Sequence, residues 1–172
     1  MSLVLRQWVE AAKHVVVFTG AGMSTDSGIP DFRSPGGVWT RMAPIMFQDF
    51  MASEENRIEA WRRKFAMADE LGKSFPNDGH KAIAQLVQSG KVKTLITQNI
   101  DNLHQDSGIA DEHIVELHGN GTYATCLECE ARHDMDAIRE EFKASQMTRA
   151  PACLACGGIV KSATISFGQA MP

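Results

Sequence analysis

The sequence predicts an α/β protein: a mostly parallel sheet with a small second module inserted late in the chain. Three observations carry this. Short β-branched runs alternate with helical stretches, which implies βα units. The first such run, Val15 to Thr19, enters Gly20-Ala21-Gly22 directly. All four cysteines fall between Gly121 and Gly158, in a stretch with little aliphatic core.

Taken in order, residues Ser2 to Lys13 read as an amphipathic helix with Leu5, Trp8, Val9 and Ala12 at helical spacing. Val15 to Thr19 does not alternate, which suits a strand buried on both faces. Asp31 to Trp39 is irregular, with Pro35-Gly36-Gly37 as a breaker. Glu54 to Leu71 predicts a long helix with Ile58, Trp61, Phe65, Ala68 and Leu71 on one stripe. A helix over Gly79 to Gln88, strands at Val92 to Thr97 and Ile114 to Leu117, and a helix over Asp134 to Ala144 follow. Ser162 to Phe167 is expected to be a strand returning to the sheet.

The chain has 172 residues and a net charge of -4, with 44% hydrophobic and 22% charged residues. This is the balance of a globular protein and argues against disorder. Net acidity argues against a surface built to coat nucleic acid or an anionic membrane. No apolar run approaches the ~20 residues of a spanning helix, and Met1 to Lys13 lacks the unbroken apolar centre of a secretory signal. The expectation is a soluble, cytoplasmic protein with no membrane association and no direct nucleic-acid binding.

Cys126, Cys129, Cys153 and Cys156 form two Cys-x-x-Cys pairs 23 residues apart, with none left over. Thiolates three positions apart on a tight turn can reach one tetrahedral ion, and two such turns complete a closed four-sulfur site. Disulfides fit poorly with an intracellular chain, and a redox dithiol needs only one pair. A structural zinc ion is the expectation, since four thiolates leave no position for substrate.

A glycine turn after a buried strand suggests a phosphate or dinucleotide site, because backbone amides can approach a pyrophosphate and a following helix N-terminus adds its dipole. Alone it is weak: the third glycine of the usual fingerprint is replaced by Thr25. The wider stretch is Gly20-Ala21-Gly22-Met23-Ser24-Thr25-Asp26-Ser27-Gly28-Ile29-Pro30-Asp31-Phe32-Arg33-Ser34. Two more polar clusters end strands, Thr97-Gln98-Asn99-Ile100-Asp101-Asn102-Leu103-His104 and Glu116-Leu117-His118-Gly119. Polar residues at the C-terminal ends of parallel strands converge on one crevice, where open α/β sheets bind ligands.

These segments, in this order and followed by the paired cysteines, resemble the sirtuin family of NAD-dependent protein deacylases from about Val15 to Pro172. The resemblance implies a Rossmann-like parallel sheet with a small inserted zinc-ribbon module: an NAD-binding part over residues 1–120, a zinc-binding module over 121–160 and a return strand over 161–172. It implies NAD as cosubstrate, structural zinc, and an acyl-lysine protein or peptide as partner. In the family the acyl oxygen attacks C1′ of the nicotinamide ribose, nicotinamide leaves, and a ribose hydroxyl attacks the resulting imidate. The products are free lysine, nicotinamide and O-acyl-ADP-ribose.

His118 matches the family's general base, and a histidine titrating near neutrality suits that work. Without the other motifs it reads as a strand-end histidine capping a turn. Asn99 and Asp101 match residues lining the nicotinamide pocket, although Asn and Asp favour turns in any case. Ile100 would supply an apolar wall, and Gln98 matches a ribose contact. Gly20, Ala21, Gly22, Ser24, Asp31 and Arg33 fall in the cofactor loop, where a guanidinium suits a pyrophosphate. Phe32 matches the aromatic that screens the reactive ribose face; an ordinary core phenylalanine is the plainer reading.

Family members that favour acidic acyl groups hold the distal carboxylate with a Tyr-x-x-Arg pair. The aligned place here is read as Trp61-Arg62-Arg63-Lys64, which lacks that pair. Arg63 or Lys64 could serve, but a solvated helix face is the expectation. Deacetylation, another neutral deacylation and mono-ADP-ribosyl transfer stay open.

Two departures stand out. Lys161-Ser162 and Phe167-Gly168-Gln169 replace the usual Lys-Pro and Phe-Gly-Glu. Sirtuin catalytic domains also continue well past this point, and the four strand candidates fall short of the about six of a doubly wound fold. The sheet is therefore expected to be incomplete, with weak NAD binding and little turnover. The alternative function is a catalytically silent NAD- or ADP-ribose-binding or interaction module.

Overall fold

A computed structural model describes residues 3–31, 35, 37, 40 and 42–171. The chain forms two three-stranded sheets. The first is parallel, with order β1-β2-β3: β1 is Val15–Thr19, β2 Val92–Thr97 and β3 Ile114–Glu116. The second is antiparallel, with order β5-β4-β6: β4 is Gly119–Cys126, β5 Arg132–Asp134 and β6 Val160–Thr164. The helices are α1 (Leu3–Ala11), α2 (Phe47–Ala52), α3 (Glu54–Leu71), α4 (Asp78–Gln88), α5 (Leu103–Asp106) and α6 (Met135–Ala144). Among the described residues no helix is long and apolar enough to cross a membrane.

Local chemistry sets the helix ends. Ser53 caps α3, its side chain accepting from Asn56 N, with Glu54 and Glu55 in the first turn favouring the positive end of the dipole. Gly72 ends the helix at φ 60, a conformation glycine takes without strain. Asn77 caps α4 through Gly79 N and His80 N, and the His80 ring accepts from Asn77 N in return.

Two cores follow from these elements. Ile83, Ala84 and Val87 of α4 pack on Val92 and Leu95 of β2 and on Ile109. Ile58, Trp61 and Phe65 of α3 pack on Ala124, Cys126, Ile138, Phe142, Cys153 and Val160. Trp61 and Phe65 stack at 5.5 Å, and Phe65 meets Phe142 at 6.1 Å. The long helix thus builds its core with the cysteine-bearing sheet.

Three expectations change. β1 is covered on one face only: Val16 and Phe18 are 60% and 59% exposed, because α4 packs on the face made by Val15 and Val17. The apolar stripe of α1 buries no residue, and Trp8 is 69% exposed. The last strand spans 160–164 and pairs antiparallel with β4, with Cys126 opposite Val160. It therefore joins the second sheet, which runs across the boundaries expected at 120 and 160.

The sheets are joined at Gly119, φ 71, where an added Cβ would lie 2.0 Å from Ala163 O. Close approach and left-handed backbone both require glycine here. Gly119→Ala is expected to cost at least about 2 kcal/mol, read as a lowered urea midpoint with unchanged slope. An unchanged midpoint would contradict the placement of this joint.

Candidate active site

The glycine turn sits at the C-terminal end of β1, and Gln98 N extends the sheet by donating to Thr19 O at 3.0 Å. The chain then makes two short 3₁₀ turns, Ala21–Met23 and Thr25–Ser27, and Gly28 closes the second at φ 85. The N-terminus of α4 adjoins the turn: Asn77 and Gly79 line a hollow of about 500 Å³ together with Gly20, Ala21 and Gly22. Gly20 and Ala21 also edge a larger cavity of about 710 Å³.

Asn99 Nδ2 ties the first two clusters together, donating to Gly20 O and Ser24 Oγ, both at 3.1 Å. Ser24, only 1% exposed, donates to Asp101 Oδ2 at 2.6 Å, so its hydroxyl serves the loop directly. The other Asp101 oxygen accepts from Leu103 N at 3.0 Å.

The third cluster is fixed between the sheets. Leu117 N donates to Thr97 O, Ile165 N to His118 O and Gly121 N to Ile100 O, at 2.9, 2.8 and 2.8 Å. His118 Nδ1 lies 3.0 Å from Gln98 O. A carbonyl oxygen only accepts, so Nδ1 carries a proton, and in the neutral ring Nε2 keeps its lone pair. His118 lines the larger cavity with Gln98, Asn99, Ile100 and Asp31. Phe32 and Arg33, the other two expected cofactor contacts, lie outside the described residues.

A buried relay beneath these clusters was not anticipated. His104 Nε2 donates to Thr19 Oγ1 at 2.9 Å, Thr19 donates to Thr97 Oγ1 at 2.8 Å, and Thr97 accepts from Asn99 N at 3.0 Å. His80 lies against His104 with ring centroids 4.8 Å apart, and both are at most 1% exposed. The available signal was His80 at the third position of a capped helix, directed inward with Ile83 and Ala84.

Burial, reinforced by His80 and opposed by Asp101, lowers the pKa of His104 from 6.5 to about 4. The fold holds the neutral ring. Above pH 6.5 neither state binds the proton and nothing is lost; below it the unfolded chain protonates while the folded ring resists. Stability is therefore expected to fall by up to about 3 kcal/mol as pH drops from 6.5 to 4. Urea midpoints across that window should show a loss that His104→Asn reduces; an identical pH dependence in the variant would contradict it.

At the far end of the second sheet, all four cysteines are free thiols, and their sulfurs lie within 4.8 Å of one another. Cys126 and Cys156 are 3.5 Å apart, Cys129 and Cys153 3.6 Å, and Cys129 and Cys156 3.4 Å. These separations far exceed a sulfur–sulfur bond of about 2.05 Å. They approach the ~3.8 Å edge of a tetrahedron of ~2.3 Å zinc–sulfur bonds. The donor set fits a structural zinc ion held by Cys126, Cys129, Cys153 and Cys156.

A parallel sheet with three polar strand ends is joined to a second sheet whose four clustered cysteines could hold a metal ion. The sequence profile described as the Sir2 family matches residues 20–172, and the chain belongs to that family. It is 55% identical over 168 residues to an NAD-dependent protein deacetylase of Rhodopseudomonas palustris, covering 98% of this chain and 66% of that protein. It is 40% identical over 164 residues to one of Thermodesulfovibrio yellowstonii, covering 95% of this chain and 62% of the relative. The chain therefore spans just under two thirds of the length of these relatives. A solved structure described as Sir2 with a p53 peptide and NAD+ aligns over 100% of the chain and 67% of its own, with TM-score 0.84 and 29% identity. A Sir2 homologue mutant with ADP-ribose aligns over 100% of the chain and 66% of its own, with TM-score 0.81 and 28% identity.

Proposed function

We propose that this chain carries the nicotinamide-ribose and acyl-lysine part of an NAD-dependent protein-lysine deacylase site. The observation that carries the reading is the Nδ1 contact of His118 with Gln98 O, which leaves a basic Nε2 on a cavity shared with Gly20, Ala21 and Asn99. The names and bound molecules of the relatives support it.

When bound, NAD supplies a ribose C1′ whose bond to nicotinamide breaks as the substrate's acyl oxygen bonds to it. His118 Nε2 accepts the proton of the ribose hydroxyl that then takes the acyl group. Its Nδ1–H, held by Gln98 O, keeps the ring in the accepting tautomer. Asp101 and Asn99 act with it by fixing the glycine loop against the second strand end, and Ile100 adds an apolar wall. Gly20, Ala21, Gly22, Ser24, Asp31, Phe32, Arg33 and Gln98 are assigned to the cofactor. Acyl-lysine, NAD and water become free lysine, nicotinamide and O-acyl-ADP-ribose.

The partner proposed is an acyl-lysine protein or peptide, and the compartment proposed is the cytoplasm, where four reduced thiols and their zinc persist. The test is incubation with NAD and an acyl-lysine peptide, with products separated by mass. Nicotinamide, free lysine peptide and O-acyl-ADP-ribose are expected in equal amounts and at low turnover. Bound ADP-ribose with no acyl-dependent product would favour the silent binding module.

A further inference from the structure

We propose that Asn120 is a positioning residue of the site: its buried amide sets the loop carrying Asn99 and Asp101 against the strand end carrying His118. The placement belongs to the ligand-free chain, and its bearing on catalysis rests on the deacylase reading.

Asn120 is 3% exposed and follows His118 across the Gly119 joint. Its Nδ2 donates to Asn102 Oδ1 at 2.9 Å and to Glu116 Oε1 at 2.8 Å. Its Oδ1 accepts from Thr122 N at 2.9 Å and from Thr122 Oγ1 at 2.6 Å. A side-chain amide has two N–H donors and two oxygen lone pairs, so every direction is used. The partners also fix which way the amide faces. A backbone N–H only donates and a carboxylate only accepts, so turning the amide over would break both contacts. Turning it away would leave buried polar groups unpaired.

The groups it joins come from separate segments. Glu116 ends β3 and Thr122 lies in β4. Glu116 Oε1 also accepts from Gln105 Nε2 at 2.7 Å, so the carboxylate is held from two sides. Asn102 follows Asp101 at φ 68, in the left-handed region that few residues other than glycine and asparagine enter. Its side chain is fixed at both ends, Oδ1 by Asn120 and Nδ2 by Asp106 Oδ1 at 2.8 Å. This turn decides where Asp101 points: one of its oxygens takes Leu103 N and the other the Ser24 hydroxyl. A line of bonds thus runs from Glu116 through Asn120 to the Asn102 turn, and from Asp101 to the glycine loop. The main-chain bonds of Leu117 N to Thr97 O and Gly121 N to Ile100 O align the strand ends. Asn120 carries that alignment to the turn itself.

The test is nuclear magnetic resonance of the isotope-labelled, ligand-free 172-residue chain. It reads the ring nitrogens of His118 and the amides of Gln98 to Asp101, with urea midpoints alongside. Asn120→Asp keeps acceptors for Thr122 but loses both donors and sets a second carboxylate against Glu116. Ring and loop signals are expected to move together, the ring losing its single Nδ1–H pattern. Adding Glu116→Gln exchanges amide and carboxylate, restores a donor–acceptor pair, and should return both sets toward wild type. Asn102→Ala removes only the acceptor on the turn; it should move the same signals, and it decides the matter if Asn120→Asp alone does not fold. NAD is expected to bind about tenfold more weakly to Asn120→Asp and within about threefold of wild type to the exchanged pair. Wild-type ring and loop signals in the folded variants, with only the urea midpoint lowered, would make Asn120 a stability residue and overturn the inference. An exchanged pair no closer to wild type than Asn120→Asp would also overturn it. Absence of NAD binding to the wild-type chain would count against the deacylase reading, and the ligand-free ring and loop signals would still decide this inference.

Discussion

Stripping zinc from the cysteine site, or replacing Cys153 with serine, is expected to unfold the second sheet and open the cavity. Cys126 and Cys153 are 2% and 3% exposed and belong to the same core as Trp61, Phe65, Ala124 and Phe142. A structural zinc ion contributes on the order of 10–16 kcal/mol of apparent binding energy, comparable with or above the about 5–15 kcal/mol stability of a whole domain. Two strands of the small sheet are short: β5 is three residues long and β6 five. Without the metal, four thiols crowd one point and the turns at Cys129 and Cys156 lose their tie. Because α3 packs its Trp61 stripe on this sheet, the loss should spread to the walls of the larger cavity. Chelator titration followed by near-ultraviolet circular dichroism and metal analysis checks this. The expected result is about one zinc per chain and loss of the aromatic signal as it leaves. Full retention of that signal in metal-free protein would contradict the account.

Replacing His118 with alanine is expected to lower acyl-peptide turnover by about 10²–10⁴-fold, the usual contribution of a positioned general base. Folding should change little. The ring is half-buried and, among the described residues, makes one hydrogen bond, to Gln98 O, of a kind contributing about 1 kcal/mol. The backbone that places it is held independently, by Leu117 N on Thr97 O and Ile165 N on His118 O. Turnover per mole of folded protein, with urea midpoints measured alongside, separates the chemical effect from a structural one. Wild-type turnover in the variant would remove His118 from the proposed mechanism.

Elements with strong local signals were legible in the sequence. The Ser53 cap, the paired glutamates and Gly72 mark both ends of α3, and its observed bounds are those expected from the stripe. β1 and β2 were legible from their β-branched runs. β4 was not, because it begins Gly119-Asn120-Gly121, which reads as a turn. Its strand geometry comes from pairing with β6 across a close approach that only glycine allows, a tertiary effect outweighing local propensity. The final strand was displaced for the same reason: its partner is β4 of the second sheet, not a strand of the first. Lys64 was read with Arg62 and Arg63 as part of a solvated helix face, whereas it is half-buried and donates to Gly121 O. Its spacing of three from Trp61 was the available clue, since residues that far apart share a helix face.

At the site, the polar strand ends could be read directly, and the structure brings Gly20, Ala21, Gln98, Asn99, Ile100 and His118 to one cavity. The buried relay could not. Thr19, Thr97, His80 and His104 look like ordinary strand and helix residues until the fold sets two histidine rings side by side. That pair lies beneath Asn99, so the rigidity of the site depends on groups remote from it in sequence.

The central claim is that three separated strand ends surround the nicotinamide end of one dinucleotide. Amide and histidine-ring nuclear magnetic resonance shifts, followed as NAD is added to isotope-labelled protein, test it most directly. Gly20 to Gly22, Gln98 to Asp101 and the His118 ring should move together along one binding curve. Movement of a single cluster, with the His118 ring unchanged at saturation, would contradict it.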